Sequence, residues 1–269
     1  MRLILLFVIG IATSLKAAQA DFKEAFGDRD GCFLVSDLQS GKPVAEYNKK
    51  RCEERFSPCS SFKIAAALMA FDKGILRDES QVVKWDGVRR GSADWNQDLT
   101  PMTWMSKSAK WVTEWVMPQL GEQTIQHFLD AFQYGNKDFS GGLKDAWVTS
   151  SLKISAAEQA TFLERLWKGE LPVSKRTADL TKKIIFIEKV GKASELYGKT
   201  GTGCLVGHAC MDRPDKMIGW FVGVLKNKAS TYVFAANASD LKEQKRPAGP
   251  RVRETTIELL KQTGLVAIE

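Results

Sequence analysis

The stretch PCSSFKIAAALMAFDKG, residues 58–74, carries a lysine at the head of a strongly apolar run. Pro58 and Gly74 bracket this run as residues at helix starts and stops do, so the pattern predicts a buried helix. Burial disfavours the charged form of a lysine because the ammonium loses its hydration. We therefore expect Lys63 to be a neutral amine, and a neutral amine is a base.

Ser60 precedes Lys63 by three residues, which places both on one helix face with roughly 5–6 Å between their Cβ atoms. A base beside a hydroxyl is the arrangement of an activated nucleophile. Free N–H groups at the helix start favour negative charge at the same spot. The Ser-x-x-Lys spacing also occurs at 150–153 and 239–242, but only Ser60 stands at the mouth of an apolar helix.

Length and composition fit one large globular domain, with 269 residues of which 44% are hydrophobic and 26% charged. Residues 1–20 combine a basic start, an apolar stretch and a small-x-small ending, which predicts a signal peptide and periplasmic export of residues 21–269. Polar residues interrupt the apolar stretch, so no stable membrane anchor is expected, since one needs about 20 unbroken apolar residues.

Charge excludes one class of partner. Without the leader the chain keeps 37 basic and 32 acidic residues, a net charge of +5. The basic residues are scattered and have no interleaved aromatics, which argues against nucleic acid and is compatible with a small anionic substrate. The pattern leaves monomer and homodimer open.

Strand-like segments occur near both ends of the chain. They are residues 32–37, 44–47, 195–203, 217–225 and 230–238. Amphipathic helices, including 124–132 and 156–167, fill the interval from about 75 to 190, and a further helix is predicted at 252–263. The pattern predicts an α+β fold, in which a central antiparallel sheet carries an inserted all-helical lobe within one catalytic domain.

A second chemical motif, Lys199-Thr200-Gly201, lies on the predicted strand 195–203. Gly201 and Gly203 leave the strand without side chains at two positions on one face, so a ligand can approach it closely. Chance rarely supplies this tripeptide together with Ser60 and Lys63 in one chain.

Together these segments resemble the serine β-lactamases and penicillin-binding proteins, and specifically the class D β-lactamases, the oxacillinases. The stretches that carry the resemblance run in the family's order: FSPCSSFK at 56–63, TPMTWM at 100–105, YGNKDFSG at 134–141, AWVTSSLKIS at 146–155 and YGKTG at 197–201. They cover nearly the whole chain after residue 20 and imply the serine β-lactamase/transpeptidase-like fold.

The resemblance implies that penicillin-type antibiotics are hydrolysed through an acyl-enzyme on Ser60, with Lys63 as general base. It implies that Lys63 reacts with carbon dioxide to form a carbamate held by Trp147. Carbon dioxide or bicarbonate is then the only accessory molecule, and neither a metal nor an organic cofactor is expected.

The resemblance also implies how substrate binds. Lys199 and Thr200 recognise the substrate carboxylate, and Gly201 and Thr202 continue the same strand along the substrate. The backbone N–H groups of Ser60 and Thr202 form the oxyanion hole. Arg251 and Arg253 precede the last predicted helix. Either of them is expected to be a further contact for the substrate carboxylate or a solvated residue at the helix start.

The chain departs from the family at its second motif, Ser-x-Val, which here reads Ser108-Ala109-Lys110. Ser108 is expected to keep a proton-shuttle role. Lys110 stands where a small apolar side chain would line the carbamate pocket. It is expected to pair with the carbamate, to replace it as a second cation, or to turn outward.

The five cysteines are at positions 32, 52, 59, 204 and 210. Export permits oxidation, and the short loop between Cys204 and Cys210 predicts a disulfide. Zinc bound by these two and His208 is the alternative, although the spacing is unusual and a fourth ligand is missing. Cys59 is expected to be a buried free thiol or to form a disulfide with Cys32 or Cys52.

Two rival functions share the same serine and lysine. One is a penicillin-binding peptidase that deacylates slowly, and the other is a sensor domain that binds β-lactam covalently as a signal. Trp147 and the Tyr134-Gly135-Asn136 stretch favour the lactamase. A histidine-based hydrolase is excluded, because the chain has only two histidines and no Gly-x-Ser-x-Gly elbow.

Overall fold

The computed structural model describes residues 21–191, 194–205 and 217–266, and the predicted signal peptide lies outside these ranges. One antiparallel sheet of six strands forms the centre, in the order β2-β1-β6-β5-β4-β3. Its strands are β1 (Asp30–Asp37), β2 (Pro43–Tyr47), β3 (Phe186–Val190), β4 (Ser194–Cys204), β5 (Met217–Lys226) and β6 (Thr231–Ser239).

Helices cover both faces of the sheet. They are α1 (Phe22–Phe26), α2 (Lys49–Glu53), α3 (Lys63–Asp72), α4 (Pro101–Lys107), α5 (Lys110–Leu120), α6 (Glu122–Phe132), α7 (Ala146–Thr149), α8 (Ala156–Lys168), α9 (Lys175–Ile184) and α10 (Ala248–Gln262). Two 3-10 turns occur at Cys59–Phe62 and Ala93–Trp95. Within the described ranges, no helix is both long enough and apolar enough to span a bilayer.

Strand β5 shows why the sheet is covered on both sides. Its side chains alternate between two cores, as the pleat requires. Trp220 and Val222 face the core shared with the helical lobe, whereas Phe221 and Leu225 face the core beneath α10. A strand buried on both faces is apolar without interruption, which explains the run MIGWFVGVL.

Helix α3 lies inside the larger core, as the sequence predicts. Its residues from Lys63 to Phe71 are all buried. A helix that is apolar all round belongs in a core rather than on a surface. The preceding 3-10 turn packs against β4, so the start of α3 is fixed beside the strand that carries Lys199.

The predicted sheet and most predicted elements match the structure within a few residues, and the order of strands confirms the α+β fold with helices inserted between the chain ends. Strand β3 was missed, and its residues 186–190 were placed in the helical lobe. It is an edge strand with mostly exposed side chains, so it has no apolar alternation to detect. The short helices α1 and α2 were also missed.

Two glycines of β4 provide room for the segment before α3. A Cβ at Gly201 would lie 2.8 Å from the Pro58 carbonyl oxygen, and one at Gly203 would lie 2.4 Å from Cys59 Sγ. These glycines were expected to make room for a ligand. The structure shows that they admit the turn that presents Ser60.

We predict that Gly203→Ala destabilises the fold by about 1–3 kcal/mol, because the added methyl group overpacks the contact with Cys59 Sγ. Chemical denaturation measures the change. Gly91→Ala is the matched control, since no atom lies within 4 Å of its added Cβ. Adding Cys59→Ala should restore part of the loss, and a double variant no more stable than Gly203→Ala alone would contradict the packing argument.

Candidate active site

Ser60 lies in the 3-10 turn Cys59–Phe62, and Lys63 is the first residue of α3. The turn follows a backbone irregularity at Cys59, whose φ of 52° is uncommon for a residue other than glycine. Ser60 is half-buried and Lys63 is fully buried. Lys63 Nζ lies 2.9 Å from Ser60 Oγ, so the predicted pairing of amine and hydroxyl is present.

Burial holds the pKa of Lys63 well below its usual value, because the ammonium form has lost its hydration. The neighbouring cations Lys199 and Lys110 lower this pKa further. The thiol of Cys59 and the carboxylate of Glu114 act in the opposite direction, but more weakly than burial. Burial therefore favours the neutral form of the amine next to Ser60, as expected from the sequence.

Trp147, on the short helix α7, covers the Lys63 amine. Lys63 Nζ lies 5.0 Å from the centre of the indole ring, and the ring stacks on Phe62 at 6.0 Å. Trp147 is only 1% exposed, and its Nε1 has no hydrogen-bond partner among the residues that the structure describes. Because buried indole N–H groups are normally paired, this donor is available for an acceptor on or near Lys63.

Ser108 and Lys199 form a second pair. Ser108 follows α4 in a left-handed conformation with φ of 55°. Lys199 Nζ donates to Ser108 Oγ at 2.9 Å and to the Thr200 carbonyl oxygen at 3.0 Å. Burial, with a smaller contribution from Arg253, lowers the pKa of Lys199 to about 7. The ammonium form of Lys199 is thus readily converted to the amine near neutral pH.

A cavity of about 410 Å³ opens beside Lys199. Lys199, Thr200 and Arg253 give it a polar, cationic side, and its apolar wall includes Met102, Ile184 and Phe186. Ser60 and Lys63 are not among its lining residues, but Lys199, which lines the cavity, acts electrostatically on the Lys63 amine. The cavity therefore suits a ligand with an anionic group and an apolar body.

The two candidate arginines have different surroundings. Arg251 donates from Nη1 to Asp240 Oδ1 at 2.8 Å, and Asp240 is only 2% exposed. Arg253 forms an ion pair with Glu188 and borders the cavity. The sequence gives no reason to prefer one arginine as the carboxylate contact, whereas in the structure only Arg253 of the two borders the cavity.

The remaining predicted substrate contacts lie on β4. The side chain of Thr202 faces α10, where its Oγ1 accepts a hydrogen bond from Gly249 N at 2.8 Å. The Thr202 hydroxyl is therefore engaged by α10, and the expected role of its backbone N–H in the oxyanion hole stays a prediction. Gly201 lies against the Pro58 carbonyl oxygen and the Trp220 side chain.

Lys110 begins helix α5 at the edge of the site. Its Nζ lies 2.5 Å from Glu114 Oε1 and 3.4 Å from Asp145 Oδ1. The same atom lies 5.9 Å from the centre of the Trp147 ring, and about a third of the side chain is exposed. Lys110 therefore neither occupies the position beside Ser60 nor turns fully outward. Glu114 and Asp145 belong to none of the sequence motifs, although the i,i+4 spacing of Lys110 and Glu114 is a signal for an ion pair.

The structure shows the bonding state of three of the five cysteines. Cys59 is a buried free thiol, as are Cys32 and Cys52, so the expectation of burial is confirmed for Cys59 and the alternative disulfides are absent. Burial raises the pKa of the Cys59 thiol to about 12. Cys210 and His208 lie outside the described residues, so the disulfide to Cys204 stays a prediction. Among the described residues, no cluster of His, Cys, Asp and Glu side chains is suited to a metal ion.

The arrangement of serine, lysine and a second serine–lysine pair beside a six-stranded sheet defines a serine acyl-transfer enzyme of the transpeptidase fold. The family model of the penicillin binding protein transpeptidase domain matches residues 31–257. β-Lactamase OXA-1 of Escherichia coli is 36% identical over 244 residues, which cover 87% of this chain and 86% of that protein.

Similar solved structures identify the family within this class of enzymes. A class D β-lactamase from Bacillus subtilis superposes with a TM-score of 0.83 at 36% identity, covering 94% of this chain and 100% of the other. The C-terminal domain of the Bacillus licheniformis BlaR penicillin-receptor gives a TM-score of 0.84 at 30% identity, with 92% and 96% covered. The chain belongs to the class D β-lactamases, and that family shares its fold with a penicillin receptor.

We predict that Lys63→Met stabilises the protein by about 1–2 kcal/mol at pH 7 in buffer free of carbon dioxide, because it removes a polar group that burial disfavours. The gain should shrink as pH rises. The relevant pH range lies between the lowered pKa of Lys63 in the folded protein and its usual pKa of 10.5 in the unfolded chain. In this range the unfolded chain binds a proton that the folded chain does not, so the free energy of unfolding of the wild type increases with pH.

Urea denaturation across this pH range measures the effect. The control is Lys84→Met, whose side chain is 81% exposed and whose loss should change the free energy of unfolding by under about 0.5 kcal/mol. A Lys63→Met gain that does not depend on pH would contradict the proposed state of the amine.

Proposed function

We propose that this protein hydrolyses the β-lactam ring of penicillin-type antibiotics through an acyl-enzyme on Ser60. The observation that carries the proposal is the pairing of Ser60 Oγ with a buried Lys63 amine at 2.9 Å. Membership of the class D β-lactamases supports the substrate class.

Acylation follows from the chemistry of this pair. Lys63 is the general base: when carboxylated, it would accept the Ser60 proton as Oγ attacks the lactam carbonyl carbon. Backbone N–H groups of Ser60 and Thr202 stabilise the developing oxyanion, each worth about 10²–10³ in rate. Ser108, hydrogen-bonded to Lys199, passes a proton to the lactam nitrogen as the C–N bond breaks.

The residues around Lys63 fit a carbamate formed with carbon dioxide. The unpaired Nε1 of Trp147 is a buried donor that needs an acceptor, and the neutral amine is the form that attacks carbon dioxide. The carbamate would supply an anionic base both for the Ser60 proton in acylation and for the water in deacylation. Trp147 would hold it, while the apolar packing of Phe62 excludes bulk solvent.

Substrate recognition is assigned to the cationic side of the cavity. Lys199, Thr200 and Arg253 bind the carboxylate of the antibiotic, and Gly201 and Thr202 align with its backbone along β4. The apolar wall, which includes Phe186, receives the antibiotic's side group. We assign Arg251 no substrate contact, because Asp240 engages its guanidinium.

We also propose that residues 1–20 direct the protein to the periplasm and that Cys204 pairs with Cys210 there. The basic and apolar pattern of the leader supports export. An oxidising compartment supports the disulfide.

A covalent receptor is the second candidate function, favoured by the likeness to the BlaR receptor domain. It would use the same acylation step and differ only in the rate of deacylation. A free, buried Trp147 Nε1 favours the hydrolase, because this donor suits a group needed to activate water.

The prediction is that purified protein turns over a chromogenic cephalosporin many times per active site and that Ser60→Ala removes both turnover and covalent labelling. Absorbance follows hydrolysis, and intact mass spectrometry follows the adduct. Ser61→Ala is the matched control at the adjacent position and should retain labelling, since Ser61 Oγ donates to the Pro58 carbonyl oxygen. A long-lived adduct on Ser60 without turnover would favour the receptor instead.

A further inference from the structure

Lys110 is the residue of the site that neither the family pattern nor the proposed reaction accounts for. It places a second lysine next to Trp147, which already covers Lys63. Two carboxylates hold its ammonium, one at 2.5 Å on the next turn of the same helix and one at 3.4 Å just before α7. Such a built arrangement differs from a lysine that is merely solvated.

The charge of Lys110 acts on Lys63 more strongly than that of its helix partner. Lys110 lowers the pKa of Lys63 by more than Glu114 raises it. The combined effect of Lys110 and Glu114 on the Lys63 amine is therefore that of a positive charge. Lys199 on β4 adds to this effect, and Cys59 in the 3-10 turn opposes it.

Carboxylation converts a neutral lysine amine into an anion, so a positive charge nearby favours the reaction. The neutral amine forms an N–C bond to carbon dioxide, one proton leaves to water, and the product carries a negative charge; no electrons are exchanged. A nearby cation therefore favours both the neutral amine before the reaction and the anion after it. A fall in pH opposes carboxylation, because a higher proton concentration reverses a reaction that releases a proton.

We propose that Lys110 is a positioning residue that stabilises the carboxylated form of Lys63 and extends it to lower pH. The proposal rests on the carboxylation proposed above. Glu114 and Asp145 keep the ammonium of Lys110 beside Trp147, where its charge reaches the carbamate. This chain thus uses a charged side chain where the family motif has an apolar one.

The test compares wild type with Lys110→Val, which installs the family's residue, and with Lys110→Arg, which keeps the charge. Carbon-13 NMR with labelled bicarbonate measures carbamate occupancy directly, without relying on activity. We expect Lys110→Val to weaken carbon dioxide binding about tenfold and to raise by about one unit the pH at which half the carbamate is lost. Lys110→Arg should restore both values to within about threefold of wild type.

Two further variants separate the cation from other effects. Lys107→Val removes a lysine of similar exposure that pairs with Asp94 away from Trp147, and it should leave carbamate occupancy unchanged. Lys110→Val combined with Glu114→Gln removes the shorter ion pair without leaving Glu114 as an unpaired carboxylate. Occupancy should stay below wild type in this double variant, and a wild-type value there would overturn the proposal.

The outcomes distinguish this inference from the proposed function. Equal carbon dioxide affinity in wild type and Lys110→Val would overturn the role of Lys110 while leaving carboxylation intact. A wild type without a carbamate signal would overturn carboxylation and this inference together, whereas hydrolysis at Ser60 is tested separately. Should Lys110→Val fail to fold, Lys110→Met, which keeps the long apolar stem and removes the charge, is compared with Lys110→Arg in the same measurement.

Discussion

The site depends on a lysine amine that is kept neutral by burial against a serine hydroxyl. Lys63 is fully enclosed by α3, Phe62 and Trp147, and its only described hydrogen bond is to Ser60 Oγ. In water the same amine would be protonated at neutral pH and would be no base. The apolar run of α3 is therefore part of the chemistry as well as of the core.

The rest of the fold holds this pair in place. A sheet apolar on both faces anchors β4, and the small residues of β4 let the 3-10 turn approach the strand. Lys199 then lies close enough for its charge to lower the pKa of Lys63. Lys199 and Lys110 lie in the same small region as Lys63, and their positive charges suit the site to an anionic substrate or anionic group.

The sequence predicted those features that have a simple pattern. Apolar runs and alternation gave the buried helix and five of the strands, and the Ser60/Lys63 spacing gave the reactive pair. The edge strand β3 has exposed side chains and so carries no apolar signal. The surroundings of Lys110, Arg251 and Arg253 could not be predicted, because partners such as Asp145, Asp240 and Glu188 are brought to them only by tertiary structure. The left-handed conformation of Cys59 is likewise set by packing rather than by local preference.

The central claim is most directly tested by the titration of the Lys63 amine itself. Lysine labelled with carbon-13 at the ε position reports the protonation state of Nζ by NMR, and Lys63→Arg assigns the signal by its loss. In buffer free of carbon dioxide, the account predicts a pKa well below 10.5 for this residue. A Lys63 amine that titrates near 10.5, like an exposed lysine, would contradict it.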